Sequence, residues 1–408
     1  MYQSFTGTHP LQGMRVVDLS TILFGPYASR WLADYGADVI KVESPEGDDG
    51  RQIGMAREPG MGAGHLSVNR NKRSVVLDLK QQQGRDTLLR LLETADVVMH
   101  NIRPQKLAAL GLDPETLRAR FPRLVCAQLT GFGADGPYSG LPAYDDIVQG
   151  MCGLADLMHR RTGEMQYLPT VAADKIAGLI GAQAILAALV ARERTGCGQL
   201  VEVPMFECMV NFTLLEHSGG RCFVPPEGNA GYARVLAKWR RPYPTADGFV
   251  CAMPYTTEQW RRFFAEIGKP ELANDPRFAS MASRSKFIEE LYALVGEQMR
   301  LRTSQHWLDT CLRLDIPVGR VNTLEDLEND PHLRAVDFFE DIPNADRKGA
   351  ARLPKSGVRI NGQSPALRAA PRLGQDTVDV LCESGFTADE IEALLESGAA
   401  RTVRSQPV

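Results

Sequence analysis

Arg15-Val-Val-Asp-Leu19 and Ala37-Asp-Val-Ile-Lys-Val42 are two short β-branched runs separated by Pro26 to Tyr35, a segment with helical composition. Strand, helix and strand in that order form the crossover that parallel neighbours need, since a tight hairpin joins only antiparallel strands. The unit recurs downstream. Ser74-Val-Val-Leu-Asp-Leu79, Asp96-Val-Val-Met99 and Leu124-Val-Cys-Ala-Gln-Leu129 read as strands, and Gln83 to Glu93, with Leu88, Leu89, Leu91 and Leu92, reads as a second crossover helix. This rhythm predicts an α/β fold with a Rossmann-like sheet in the first half of the chain.

Asp174 to Arg194 carries the strongest helical pattern, with Ile176, Leu179, Ile180, Ile185, Leu186 and Leu189 mixed among Ala and Gly that permit close packing. Its apolar stretch, Ile176 to Ala191, is interrupted by Gln183 and is shorter than a membrane span requires, so a buried helix is expected. Gly219-Gly220, Pro225-Pro226 and Gly228 follow, then an Asp247-Gly248 turn between apolar runs that predicts a hairpin. Helical patterns occupy Thr257 to Ile267, Ser285 to Leu301 and Ser304 to Leu314, and Thr387-x-x-Glu390 is a capping box opening a last short helix. The expected division is a large domain over 1–220, a smaller α+β domain over 221–325, and a C-terminal segment, 326–408, that returns to the large domain.

At about 150 residues per domain, the 408 residues suit two to three domains. With 44% hydrophobic and 24% charged residues the composition is globular, and 46 basic against 50 acidic side chains leave a formal charge of −4. No global field therefore favours nucleic acid or an anionic membrane, and an anionic ligand must be held by local charges. Met1 to Pro10 lacks a basic region followed by an apolar stretch, so no leader peptide is expected there. The eight cysteines form no Cys-x-x-Cys pair, which signals neither a zinc site nor a disulfide framework and suits a reduced, cytoplasmic protein.

Gly131-Phe-Gly133-Ala-Asp-Gly136 has dinucleotide-fingerprint spacing, but turn-forming Pro137 to Gly140 follows it and the motif trails the fifth strand rather than the first, so it reads as a shaped loop. Ser283-Arg-Ser-Lys286 lacks companion motifs and reads as a solvated helix start. Asn69 to Arg73, Lys80 and His100 to Arg103 collect near strand ends, where they either bind a phosphorylated ligand or are simply solvated. Asp174 stands where its helix should begin; its carboxylate is either a cap for free backbone amides or a nucleophile toward an acyl group, and the two roles are compatible. Arg234, Lys238, Arg240 and Arg241, interleaved with Tyr232, Trp239 and Tyr243, either clamp a substrate carboxylate or form a solvated or subunit-contacting loop.

Taken in order, Leu11-x-Gly-x-Arg-Val-Val-Asp-Leu19, Gly25-Pro26, Leu32-Ala-Asp-x-Gly-Ala-Asp-Val-Ile-Lys-Val-Glu43, Asn71-Lys-Arg-Ser74, Leu77-Asp-Leu-Lys80, Asn101-x-Arg-Pro104, Gly136-Pro-Tyr138, Tyr144-Asp145 with Gln149, Arg194-Thr-Gly-x-Gly-Gln199 and Ala370-Pro-Arg-Leu-Gly374 resemble the class III CoA-transferases, also called the CaiB/BaiF family. The resemblance spans nearly the whole chain. It implies two interlocked subunits forming a homodimer, Asp174 as the nucleophile, and an acyl-CoA thioester as substrate, with a small carboxylic acid as partner and no tightly bound cofactor or metal. It assigns CoA contacts to Leu77 through Lys80, to Asn101, Ile102, Arg103 and Tyr144, with Leu23 and Phe24 near the thiol end and Lys72 and Arg73 as phosphate partners.

Some members carry basic CoA contacts where this chain has Ser44, Ala109 and Pro142, which shifts the phosphates toward Arg103, Lys72 or Arg51. The glycine run of formyl-CoA:oxalate members is missing between Gly228 and Gly248. Tyr144 stands in the stretch where racemases of the family place a histidine, so two-sided proton exchange lacks one partner. The expected activity is CoA transfer between short-chain or dicarboxylic acids through an aspartyl intermediate, with an α-methylacyl-CoA racemase or a non-catalytic CoA-binding protein as alternatives.

Overall fold

The computed structural model describes residues 9–343 and 349–403. The leader reading of Met1 to Pro10 thus falls mostly on residues outside that description. The described residues form two units: a large one from 9–152, 168–212, 334–343 and 349–403, and a second from 153–167 and 213–333. The second unit takes in 153–167, which the sequence division leaves in the large domain. That segment is a helix, Leu154–Thr162, flanked by Gly153 and Gly163 at φ 91° and 87°, left-handed turns that lead the chain into it and out again.

Six parallel strands build the large unit: β1 (Arg15–Asp18), β2 (Asp38–Glu43), β3 (Arg73–Leu77), β4 (Val97–His100), β5 (Val125–Thr130) and β6 (Leu200–Pro204), in the order β3-β2-β1-β4-β5-β6. The first five fall on the expected runs. β6 is absent from the sequence reading because it is an edge strand, largely open to solvent and ending in a proline, and so carries no alternating apolar signal. Ala400–Arg401 pairs antiparallel with the outer side of β3. The Asp376 carboxylate accepts the Ser74 amide at 2.8 Å, so the C-terminal segment packs back on the large unit.

Helix α1 (Phe24–Asp34) joins β1 to β2, and α2 (Gln82–Leu92) joins β3 to β4. After β4 comes α3 (Pro104–Ala109), and after β5 come α4 (Asp145–Met151) and α5 (Ala172–Thr195). Helix α5 is long and apolar enough to cross a membrane by length and composition, yet half of its apolar window is buried within the chain. It packs on α1, β5 and β6. A Cβ on Gly178 would lie 3.0 Å from the Phe24 carbonyl oxygen, so the small residue lets the two helices meet backbone to backbone.

The second unit has a three-stranded antiparallel sheet, Tyr243–Pro244, Phe249–Ala252 and Val318–Arg320. The Thr245 amide bonds to the Gly248 carbonyl at 2.9 Å in the expected hairpin. Helices Thr257–Glu266, Ile288–Met299 and Ser304–Arg313 enclose Trp260, Phe263, Phe264, Tyr292 and Trp307. The single helix expected over Ser285 to Leu301 is broken at Phe287, which caps the end of an earlier helix, Met281–Lys286, and the start of Ile288–Met299.

Candidate active site

The strand order reverses between β1 and β4, so the loops leaving their carboxyl ends turn to opposite faces and open a crevice between them. A cleft of about 380 Å³ lies there. Thr21 and Ile22 line it from the β1 loop, Asn101 to Pro104 and Lys106 from β4 onward, Thr130 to Phe132 from β5, and Leu141 to Tyr144 from the approach to α4. The Asn101 side chain closes one corner, accepting the Thr21 amide at 3.0 Å and donating to the Thr21 carbonyl at 2.9 Å. Arg103 caps α3 and Lys106 sits within it; both are exposed and, among the described residues, neither has an ionic partner. The cleft thus offers two free cations.

The Gly131–Gly136 loop opens no helix. The Gly133 and Ala134 amides donate to the carboxylates of Glu207 and Glu202 at 2.9 and 2.8 Å, which leaves them no role in cradling a pyrophosphate.

Asp174 is buried in the first turn of α5, two residues past the helix start. It is not the cap: Val171 holds that position, and no side chain caps the helix. Among the described residues no hydrogen bond reaches its carboxylate. Its amide donates to Asp145 Oδ1 at 3.1 Å, and Asp145 Oδ2 accepts from Gln149 Nε2 at 2.5 Å. Gln149 is itself locked, donating to the Thr170 carbonyl at 3.0 Å and accepting the Leu168 amide at 2.9 Å. One turn of α4 therefore fixes the segment leading into α5. Burial, then the nearby charges of Asp145 and Asp146, push the Asp174 carboxyl up to about 7. Asp174 does not line the cleft; Tyr144 does, and the next residue, Asp145, accepts the Asp174 amide.

Of the expected CoA contacts, Asn101, Ile102, Arg103 and Tyr144 meet in the cleft. The others do not. Leu77 is buried in the core and Lys80 is exposed in the turn after β3, two strands away from the reversal point. Leu23 is half-buried before α1 and Phe24 is buried at its first position, both off the cleft wall. Lys72 is a structural cation, because its Nζ donates to Asp18 at 3.3 Å, to the Pro26 carbonyl at 2.9 Å and to Asn69 at 2.8 Å, which uses all three of its protons. Arg73 pairs with Asp38 at 2.6 Å and Glu383 at 2.7 Å, and buried Arg51 pairs with Glu43 at 2.6 Å, so neither is free for a phosphate.

In the second unit, Arg234 is buried, donates to Tyr292 Oη at 2.9 Å and stacks on Tyr255 at 4.3 Å. Arg241 stacks on Trp239 at 4.3 Å, and with Arg240 it lines a separate cleft of about 400 Å³ floored by Pro242, Met253 and Pro317. Sequence reasoning missed Asp145 and Lys106 as site residues. The Asp145/Gln149 spacing of one helical turn, and Lys106 on the turn opened by Arg103, were the available signals.

The chain matches the model of CoA-transferase family III over residues 11–377. It belongs to that family. It is 34% identical over 388 residues to a succinate–glutarate CoA-transferase of Agrobacterium fabrum, covering 92% of this chain and 95% of the relative. It is 32% identical over 400 residues to the alpha subunit of a succinyl-CoA–L-malate CoA-transferase of Chloroflexus aurantiacus, covering 94% and 91%. A crystal structure of a CaiB/BaiF family protein from Brucella suis superposes with a TM-score of 0.77 at 32% identity, covering 93% of this chain and all of that one. The family III protein is an enzyme, and CoA thioesters are the substrates of its class. Among the described residues no cluster of His, Cys, Asp and Glu side chains could hold a metal ion.

Proposed function

We propose that this enzyme is an acyl-CoA:carboxylate CoA-transferase that works through covalent intermediates on Asp174. The observation that carries the reading is the state of that side chain: a buried carboxylate that no hydrogen bond reaches among the described residues, beside a second carboxylate, Asp145, that follows cleft-wall Tyr144. Surroundings that disfavour its negative charge favour any step that makes it neutral, and acylation is such a step.

An Asp174 oxygen attacks the thioester carbonyl, the C–S bond breaks, and a mixed anhydride and CoA thiolate result. The thiolate attacks the aspartyl carbonyl, releasing the first acid and leaving an aspartyl-CoA thioester. The second acid attacks that thioester, displacing thiolate and forming a new anhydride. Thiolate then takes the new acyl group and frees the Asp174 carboxylate. One thioester replaces another, so no outside energy source is required. The Ala172 amide is bonded to the Thr170 carbonyl and the Asp174 amide to Asp145, so among the described first-turn amides Ala173 is the candidate donor for developing oxyanion charge.

Arg103 and Lys106 are the phosphate partners in this reading, and Asn101, Ile102 and Tyr144 flank the rest of the CoA. Dicarboxylic acids are the proposed acyl class, supported by the substrates in the two relatives' names. The strand order supports a Rossmann-like sheet. Exposed Ile147, Met151, Leu179 and Val190 support a homodimer, and the absence of disulfides among the described cysteines a reduced, cytoplasmic setting. Hydroxylamine added during turnover with succinyl-CoA should convert Asp174 to its hydroxamate, read by peptide mass spectrometry. An unmodified Asp174 during active transfer overturns the covalent route.

A further inference from the structure

The β1 loop, Ser20 to Leu23, places Thr21 and Ile22 on the cleft wall and is held at every residue. Ser20 donates its amide and hydroxyl to Asp18 Oδ1 at 2.9 and 2.5 Å, and its carbonyl accepts Lys41 Nζ at 2.8 Å. Thr21 is clamped on both sides by Asn101, and the Leu23 carbonyl accepts the Tyr27 amide at 2.8 Å. Ile22, between them, has φ 69°. A β-branched residue rarely adopts this left-handed conformation because its Cβ crowds the backbone carbonyl, and such strain persists only where the surroundings over-determine it. What holds Ile22 is Asp48, whose Oδ1 accepts the Ile22 amide at 2.9 Å. Asp48 is in turn paired to Lys41 at 2.9 Å, with both side chains buried. The fit is close on the other side too, since a Cβ on Gly50 would lie 2.8 Å from the Ile22 carbonyl oxygen. Glycine would take this backbone without steric strain, whereas isoleucine places an apolar side chain on the cleft wall at the expense of strain.

We propose that Asp48, anchored by Lys41, is a positioning residue for acyl-CoA, acting through Ile22 by holding the cleft loop in its strained form. The proposal rests on the CoA-transferase reading of the cleft. It makes Asp48 and Ile22 energetically coupled, and a double-mutant cycle measures that coupling. The full-length protein is titrated with CoA by calorimetry, and hydrogen exchange is followed in peptides covering residues 20–23. Asp48→Ala should weaken CoA binding by about tenfold and speed exchange in the loop, whereas in the Ile22→Gly background the same change should cost little. Equal losses in both backgrounds, or wild-type affinity in Asp48→Ala, overturn the proposal, because a merely structural role would not depend on residue 22. If Asp48→Ala does not fold, Asp48→Asn is read in the same cycle with the same expectations. If the wild type binds no CoA, the cleft assignment fails, and loop exchange alone decides the role of Asp48: unchanged exchange in the Asp48 variant overturns it.

Discussion

Asp174 shows how one side chain couples stability to activity. An exposed aspartate titrates near 3.8 and the folded Asp174 near 7, with burial and then Asp145 and Asp146 as causes. Between those values the folded chain holds a proton that the unfolded chain has released, so the folded state loses stability as pH rises through that window. Asp174→Asn removes the effect, and its melting temperature at pH 8 should exceed that of the wild type by the equivalent of about 4 kcal/mol, with most of the difference gone at pH 4. For the reaction the sign reverses, because the ionised carboxylate is the nucleophile. The kcat/KM profile should rise with pH through about 7, and Asp145→Asn, which keeps an acceptor for the Asp174 amide but removes the neighbouring charge, should move that rise to lower pH. Asp174 itself was legible as a candidate, since an acid opening a long apolar helix stands out. Asp145 was not, because the contact joins residues 29 apart in sequence.

At the scale of elements, the first three strands carry a buried network of charges, and it explains why basic residues near strand ends are poor guides to a phosphate site. Lys72 leads into β3 and pairs with Asp18 at the end of β1, 54 residues earlier, a partnership that only the parallel register brings about. Lys72→Met removes the ion-pair partner of the buried Asp18 carboxylate, which keeps its hydrogen bonds from Ser20 and Ser29, and should destabilise the protein by about 3 kcal/mol in chemical unfolding, while the folded fraction binds CoA with wild-type affinity. A loss of CoA affinity without a loss of stability would return Lys72 to the phosphate site. The strands and crossovers themselves were legible because their β-branched and helical periodicities are local. Edge strand β6 and the broken helix at Phe287 were not, since solvent exposure and a local cap override pattern.

For the whole molecule, the second unit begins at Thr213, ahead of the Gly/Pro-rich stretch at which the sequence reading ends the large domain, and the helix Leu154–Thr162 belongs to the second unit through long-range packing that no composition shift announces. The exposed apolar side chains of α4 and α5 predict a two-chain mass in sedimentation, and a monomer at micromolar concentration would contradict the proposed homodimer. The central claim is CoA transfer through Asp174. The measurement that tests it most directly is mass spectrometry of acyl-CoA products after mixing succinyl-CoA with a panel of mono- and dicarboxylic acids, for the wild type and Asp174→Asn. The account predicts new acyl-CoA thioesters from the wild type, strongest with dicarboxylic acceptors, and none from Asp174→Asn. Transfer that persists in Asp174→Asn would contradict the nucleophile, and equal turnover of monocarboxylates would contradict the acid class.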